Sequence, residues 1–180
     1  MERKEITKIV LVALFAALVA AGAFIKIPLV PVPVTLTTLF VLLAALCLPP
    51  FMALSSIVVY LFLGGIGLPI FTSGGGLAAM LGPTGGYLFG MIPAALLGSL
   101  IMRLFESKSR IGAVISSIVS TVFIYLVGLP WLALQMDLSA GAVLAAGFVP
   151  FIVGDVLKII VASITAPVIR PRIKELLERE

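Results

Sequence analysis

An aspartate and a lysine stand three residues apart inside the last apolar segment of the chain, residues 144–168. On a helix, Asp155 and Lys158 would share one face and lie about 4.5 Å apart along the axis. Charged groups are expensive in hydrocarbon, so inside a membrane segment they normally face a protein interior or a wet cavity. The pair is therefore either a structural ion pair or part of a polar ligand site, and we favour the ligand site.

Few other residues of this chain could do chemistry. The 180 residues include no histidine and a single cysteine, Cys47, which predicts neither a metal site nor a resident cofactor. An intramembrane enzyme would have only Asp155 with Ser73 or Tyr87 as its base and nucleophile, so the sequence predicts that the protein is not an enzyme. The glycine-rich stretch at residues 64–86 lacks the Gly-Lys-Ser/Thr ending of a phosphate-binding loop, and no ATP site is expected.

The composition is that of a protein surrounded by lipid. The chain is 62% hydrophobic and 11% charged, whereas a soluble domain carries about 25% charged residues. Its mean hydropathy is +1.30. The length predicts a single membrane domain over residues 1–180, and the net charge of +4 comes from short loops, so no nucleic-acid binding is expected.

The apolar segments predict an all-α integral membrane protein with six transmembrane helices. The predicted helices are 6–25, 35–48, 51–63, 88–104, 111–127 and 144–168. The second and third are barely long enough to cross a bilayer, so hydropathy alone gives four to six spans. The first segment is followed by further apolar segments and is read as a retained helix, not as a cleaved signal peptide.

A glycine-rich external loop is predicted between the third and fourth helices. It contains residues 71–76 (FTSGGG) and 82–87 (GPTGGY). Glycines allow the backbone to approach a ligand closely, and exposed backbone amides can donate hydrogen bonds. The loop is therefore a second candidate part of the ligand site.

The distribution of basic residues predicts the orientation in the membrane. With six spans and the N-terminus inside, Lys26 is the only basic residue in the outside loops. The inside segments hold Arg3, Lys4, Lys8, Arg103, Lys108, Arg110, Arg170, Arg172, Lys174 and Arg179. Basic residues favour the cytoplasmic side, so both termini are expected in the cytoplasm.

Alanines recur at every fourth position of the first helix. Ala13, Ala17 and Ala21 form this stripe, and small residues at that spacing let another helix approach closely in lipid. The stripe either packs against the helices of this chain or serves as the docking face for a partner protein.

Five stretches of the chain form a specific set of motifs. They are residues 27–28 (IP), 33–40 (PVTLTTLF), 67–71 (GLPIF), 81–87 (LGPTGGY) and 151–158 (FIVGDVLK). In these motifs, and along nearly its whole length, the chain resembles the BioY family, the biotin-binding S components of energy-coupling-factor (ECF) transporters. The resemblance implies six helices in a prokaryotic plasma membrane and biotin bound near the outer face. It also implies two partners, a membrane T component and a pair of cytoplasmic ATPases.

The chemistry of biotin fits the charged pair. Asp155 can accept hydrogen bonds from the ureido N–H groups, and Lys158 can only donate. Whether Lys158 meets the ureido oxygen or the valerate carboxylate is open. Because the two residues are one turn apart, we favour both contacting the ureido head. Tyr87 and Phe71 are expected to cover the ring system.

The remaining predicted contacts come from the loops. Backbone amides at Gly85 and Gly86, or the ammonium of Lys26, are expected to meet the valerate carboxylate. Family members often carry an asparagine just after the Leu-Pro-x-Phe block, where this chain has Thr72 and Ser73 and can offer only a hydroxyl. An S component for another small vitamin is therefore the alternative function, and an intramembrane enzyme is the less favoured one.

Overall fold

The computed structural model describes residues 3–178, which are mostly helical. It contains seven α-helices of eight or more residues, together with the single-turn helix α4. They are α1 (Arg3–Phe24), α2 (Thr37–Cys47), α3 (Pro50–Gly65), α4 (Leu77–Met80), α5 (Gly85–Arg103), α6 (Arg110–Met136), α7 (Ala140–Gly147) and α8 (Ile152–Glu178). Two short antiparallel strands, β1 (Lys26–Ile27) and β2 (Val34–Thr35), form a hairpin between α1 and α2.

Four helical segments are long and apolar enough to cross a membrane. They are 4–24, 85–103, 110–136 and 140–178, whereas α2 and α3 are shorter apolar helices. Large apolar side chains cover the outer faces of these helices, and Val10, Leu134 and Val153 are 57%, 85% and 72% exposed. Such a surface is suited to lipid, because a large exposed apolar surface is unfavourable in water. The prediction of a multi-pass membrane protein is therefore supported.

The helix count and several helix ends differ from the prediction. The segment predicted as one helix, 144–168, is divided by a 3-10 turn at Val149–Phe151, and the long helix begins only at Ile152. Pro150 lies in this turn, and proline cannot supply the N–H that a helix interior needs. Helix α8 then continues through Pro167 and Pro171 to Glu178, ten residues beyond the predicted end.

The fifth predicted helix, 111–127, also extends further than its stop signal suggested. Helix α6 passes Gly128 and Pro130 and ends at Met136, before a left-handed Asp137. The added turns are held by packing, because Leu132 is fully buried and the ring of Trp131 lies 5.6 Å from that of Phe89. Tertiary contacts here override the local tendency of glycine and proline to end a helix.

Helices α5 and α6 form the closest helix pair. Gly86, Gly90, Ala94 and Gly98 recur at every fourth position on the facing side of α5. A Cβ at Gly90 would lie 2.8 Å from the backbone oxygen of Ile124, so the helix backbones nearly touch. The hydroxyl of Ser120 donates to the oxygen of Ala94 (2.9 Å), which satisfies that hydroxyl without water.

Three connections meet at one end of the bundle: the β1–β2 hairpin, residues 66–84 and residues 137–151. Two hydrogen bonds join residues 66–84 to the hairpin and to the last turns of α6. The Lys26 ammonium donates to the oxygen of Thr72 (2.9 Å), and the Trp131 indole donates to the oxygen of Gly82 (3.0 Å). At the opposite end lie the α2–α3 turn, the α5–α6 loop and the end of α8. The first of these ends encloses the site.

Candidate functional site

A cavity lies between the hairpin, the helices and the loop at residues 66–84. About 740 Å³ of space in and around it, open space at its mouth included, is unfilled by atoms. Its wall consists of Val32, Pro33, Thr35, Thr37, Thr38, Leu42, Tyr60, Phe71, Thr72, Thr84, Tyr87, Leu88, Met91, Thr121, Ile124, Tyr125, Phe151, Asp155 and Lys158. Most of this wall is apolar, with polar groups at a few points.

The charged pair lies on the α8 side of the cavity and has a third member. The ammonium of Lys158 donates to Oδ1 of Asp155 at 3.2 Å, and the hydroxyl of Tyr125 donates to Oδ2. The Lys158 and Asp155 side chains are only 7% and 13% exposed. Lys158 uses one of its three donors in this contact. The carboxylate is thus neutralised and oriented, and the ammonium keeps donors to offer to a ligand.

Two threonine hydroxyls on the α2 side have no partner. Oγ1 of Thr37 and Oγ1 of Thr38 are both buried and without a hydrogen bond, and both residues line the cavity. A buried polar group with no partner costs free energy, so such groups are rare and invite an explanation. A polar ligand in the cavity would satisfy them.

Aromatic rings form the remaining walls. Tyr60 and Phe71 pack edge to face with their centroids 5.3 Å apart, and Tyr87 packs edge to face on Tyr125 at 6.0 Å. The hydroxyl of Tyr87 donates to the oxygen of Gly147 (2.9 Å) and so fixes its ring against the α7 segment. Rings held in this way give a rigid apolar surface for a flat ligand.

Five of the predicted site residues line this cavity: Asp155, Lys158, Tyr87, Phe71 and Thr72. Two others lie nearby but outside its wall. Ser73 faces a separate outer groove, and Lys26 is exposed and bound to the oxygen of Thr72. Their predicted contacts to the ligand stay predictions.

Gly85 and Gly86 belong to helix packing in this structure and not to the cavity wall. They form the first turn of α5 instead of a loop over the ligand. A Cβ at Gly86 would lie 2.2 Å from Cβ of Trp131, and one at Gly85 would lie 1.9 Å from the oxygen of Met80. The close backbone approach that glycine permits is therefore made to protein. This corrects the expected position of both residues.

The alanine stripe of α1 points away from the bundle. Ala13, Ala17 and Ala21 are all exposed, whereas Ala16 and Ala23 are 5% and 2% exposed. The stripe is therefore free to meet another helix, and the alternative that it packs within this chain does not hold for these three residues.

Tyr125, Thr37 and Thr38 line the cavity but are not among the site residues that the sequence predicts. Tyr125 hydrogen bonds to Asp155, which lies 30 positions later in the chain, and no local pattern in the sequence indicates this contact. Thr37 and Thr38 lie in the PVTLTTLF stretch, where a run of threonines beside prolines was the available signal. Within residues 3–178, no group of three His, Cys, Asp or Glu residues could hold a metal ion.

Comparison with known proteins gives a consistent result. The model of the BioY family matches residues 1–175. A protein of Lysinibacillus sphaericus described as a probable biotin transporter BioY is 38% identical over 92% of this chain and 88% of its own length. One of Pyrococcus horikoshii with the same description is 40% identical over 92% and 96%, respectively. The biotin transporter BioY of Thermotoga maritima is 38% identical over 85% and 89%.

A solved structure agrees with the fold. The chain superposes on a crystal structure described as the S-component for biotin from an ECF-type ABC transporter with a TM-score of 0.85. The two chains are 28% identical, and the match covers 95% of each. The likeness therefore extends over nearly the whole of both chains.

Proposed function

We propose, from the premise that this chain belongs to the BioY family, that it is the biotin-binding S component of an ECF-type importer. The relatives named above are transporters, and the role proposed here is likewise capture and transport without chemical change of the ligand. The observation that carries the proposal is the cavity beside Asp155 and Lys158, because its lining offers both the hydrogen-bonding groups and the apolar surface that biotin can use.

The match between cavity and ligand is chemical. The ureido head of biotin has two N–H donors and one carbonyl acceptor, and its thioether ring is apolar. Asp155 accepts, Lys158 donates, and the hydroxyls of Thr37 and Thr38 do either. The rings of Phe71 and Tyr87 then cover the bicycle. In this arrangement the ureido head meets α2 and α8, and the valerate extends toward Thr72 and Thr84, which also line the cavity.

Incubation with labelled biotin tests the function directly. The purified protein is expected to retain biotin, and mass spectrometry of the eluted ligand should return it unmodified. If the protein does not bind biotin but co-purifies with another small vitamin, it is instead an S component for that vitamin. Recovery of a chemically altered ligand would instead indicate an enzyme and would overturn the transport role.

Thr37→Val and Thr38→Val should separate ligand binding from stability. Valine keeps the shape of threonine and removes the hydroxyl, which has no partner in the empty cavity. We expect biotin affinity to fall about threefold to tenfold, as for the loss of one hydrogen bond, while the melting temperature of the ligand-free protein stays unchanged or rises. Isothermal titration and thermal melting on the same preparations give both values.

Thr165→Val is the matched control for this pair. Thr165 is half-buried on α8 and does not line the cavity, so its change should leave biotin affinity as it is. A drop in melting temperature for Thr37→Val or Thr38→Val with unaltered affinity would mean that the hydroxyls serve the fold and not the ligand.

The proposal includes the arrangement in the membrane. Helices α1, α2, α3, α5, α6 and α8 form the six membrane segments, and both termini lie in the cytoplasm. The cavity end then faces outside, where Lys26 is the only basic residue. The partners are a membrane T component and cytoplasmic ATPases, because the sequence contains no nucleotide-binding motif of its own.

Ala13→Trp or Ala17→Trp should abolish coupling and spare binding. Both alanines are exposed, and close approach of a partner helix in lipid requires small side chains. We expect biotin affinity to stay within about twofold while ATP-dependent uptake with T component and ATPases is lost. Equilibrium binding and vesicle uptake on the same variants measure the two effects.

Ala16→Trp is the control on the buried side of the same helix. Ala16 is 5% exposed, so a large ring there should disturb the bundle and lower stability and binding together. If Ala13→Trp behaves like Ala16→Trp, or if its uptake is normal, the exposed stripe is not the docking face.

A further inference from the structure

A second recess lies at the other end of the bundle, remote from the biotin cavity. Its walls come from the α2–α3 turn, the end of α5 and the last turns of α8. Three cations line it: Arg103, Arg170 and Lys174. Glu178 lines it as well, and its carboxylate lies 3.6 Å from the ammonium of Lys174.

Arg170 is the distinctive member. Its Nη1 is buried and has no hydrogen-bond partner. Among the side chains of the described part of the chain, neither Arg170 nor Arg103 forms an ion pair with a carboxylate. A guanidinium half-buried in a membrane protein without an acceptor is costly, and its planar donors fit the oxygens of a phosphate or carboxylate.

The rest of the recess is apolar. Leu48, Pro50, Phe51, Ile173 and Leu177 form its other walls, and the ring of Phe51 is 76% exposed. A free phosphate ion would gain nothing from these side chains. A molecule with an anionic head and hydrocarbon next to it would contact both parts of the recess.

We propose that this recess binds the phosphate headgroup of an anionic phospholipid. Arg103 and Arg170 contact the phosphate, and the apolar wall holds the first carbons of the acyl chains. The recess lies at the end that carries Lys108 and Arg110, and basic clusters favour the cytoplasmic leaflet. Basic recesses between membrane helices on that side are suited to anionic lipid headgroups. The site is independent of biotin and of its cavity.

Lipid titration of the purified full-length protein in neutral detergent tests this site. The probes are dioleoyl phosphatidylglycerol, dioleoyl phosphatidylcholine and inorganic phosphate, and binding is read by native mass spectrometry and thermal melting. We expect phosphatidylglycerol to bind at least about fivefold more tightly than phosphatidylcholine, since its net charge is negative and the acyl chains are identical. Inorganic phosphate at millimolar concentration should not displace it.

Charge-removing variants locate the site. The double change Arg103→Gln with Arg170→Gln should reduce the affinity for phosphatidylglycerol at least about tenfold. Arg110→Gln is the matched control, because Arg110 is exposed at the same end and does not line the recess. It should leave affinity within about twofold. Circular dichroism confirms that each variant is folded.

Four results would overturn the proposal. Equal binding of the two lipids would remove the role of the anionic head. Displacement by inorganic phosphate would mark a free-anion site, and an equal loss in Arg110→Gln would indicate only diffuse attraction. If Arg170→Gln does not fold, Arg103→Gln alone decides, because Arg103 is exposed. An affinity unchanged in that variant would also contradict the site.

Discussion

Asp155→Asn and Lys158→Met are each expected to weaken biotin binding by at least about tenfold, or ~1.4 kcal/mol. Asp155 is the acceptor for both Lys158 and Tyr125, so the neutral amide loses charge-assisted hydrogen bonds and orients the ammonium less well. Lys158→Met keeps the length of the side chain and removes its donors. Titration of biotin into each purified variant measures the loss.

Asp137→Asn provides the matched control for the carboxylate. Asp137 follows α6 in a left-handed conformation that asparagine adopts readily, and it lies outside the cavity. The affinity of the Asp137→Asn variant for biotin should equal that of the unchanged protein. Tyr125→Phe, which removes one donor to Asp155 and keeps the ring, should give a smaller loss than Asp155→Asn.

A purely structural role for the pair leads to a different result. Removing one partner of a buried ion pair that only supports the fold costs about 3–5 kcal/mol of stability, because the remaining charge has no partner. Lys158→Met would then lower the melting temperature sharply without changing the biotin affinity of the folded fraction. That outcome would remove Asp155 and Lys158 from the ligand site.

Gly86→Val is expected to abolish biotin binding by disrupting the protein itself. A Cβ at this position would lie 2.2 Å from Cβ of Trp131 and 2.9 Å from the oxygen of Val127. Both atoms belong to α6, so α5 and α6 would have to separate at the end that supports Tyr87 and Tyr125. Overpacking of this kind typically costs about 1–3 kcal/mol and here meets backbone that cannot yield. Thermal melting and biotin titration should therefore fall together.

Gly141→Val makes the same change in open space. Apart from its chain neighbours and the backbone of its own helix, no atom lies within 4 Å of the position that its Cβ would take. The melting temperature and biotin affinity of this variant should therefore stay normal. If Gly86→Val retains its melting temperature and loses only biotin affinity, Gly86 acts on the ligand from close range. The expectation drawn from the sequence would then be correct and the packing role secondary.

The two predictions rest on different kinds of information. Asp155 and Lys158 are identifiable from the sequence, because charges inside an apolar segment are expensive in lipid and residues three apart on a helix share one face. Gly86 was located only by the structure. A glycine at a loop-helix boundary fits a ligand-binding turn and a helix contact equally well in sequence, and the deciding fact is the position of Trp131 on another helix.

The helix ends show the same distinction. Hydropathy predicted a segment for each of the six longest helices, since burial in lipid depends on composition over about 20 residues. It misplaced the start of the last helix at 144 and the end of α6 at 127, because glycine and proline have only local preferences. The contacts of Leu132 and Trp131 outweigh that preference in α6, whereas Pro150 stands in the 3-10 turn that precedes α8.

The sequence alone determined the membrane class, the family and the charged pair, because composition, motif and helical spacing are properties of the chain itself. Only the tertiary structure placed Tyr125 beside Asp155, left the hydroxyls of Thr37 and Thr38 without partners, and exposed the stripe at Ala13. Those facts depend on which helices become neighbours. Which helices become neighbours depends on how well surfaces far apart in the sequence fit together, as the glycines of α5 fit against the backbone of α6. The local spacing of residues does not show that fit.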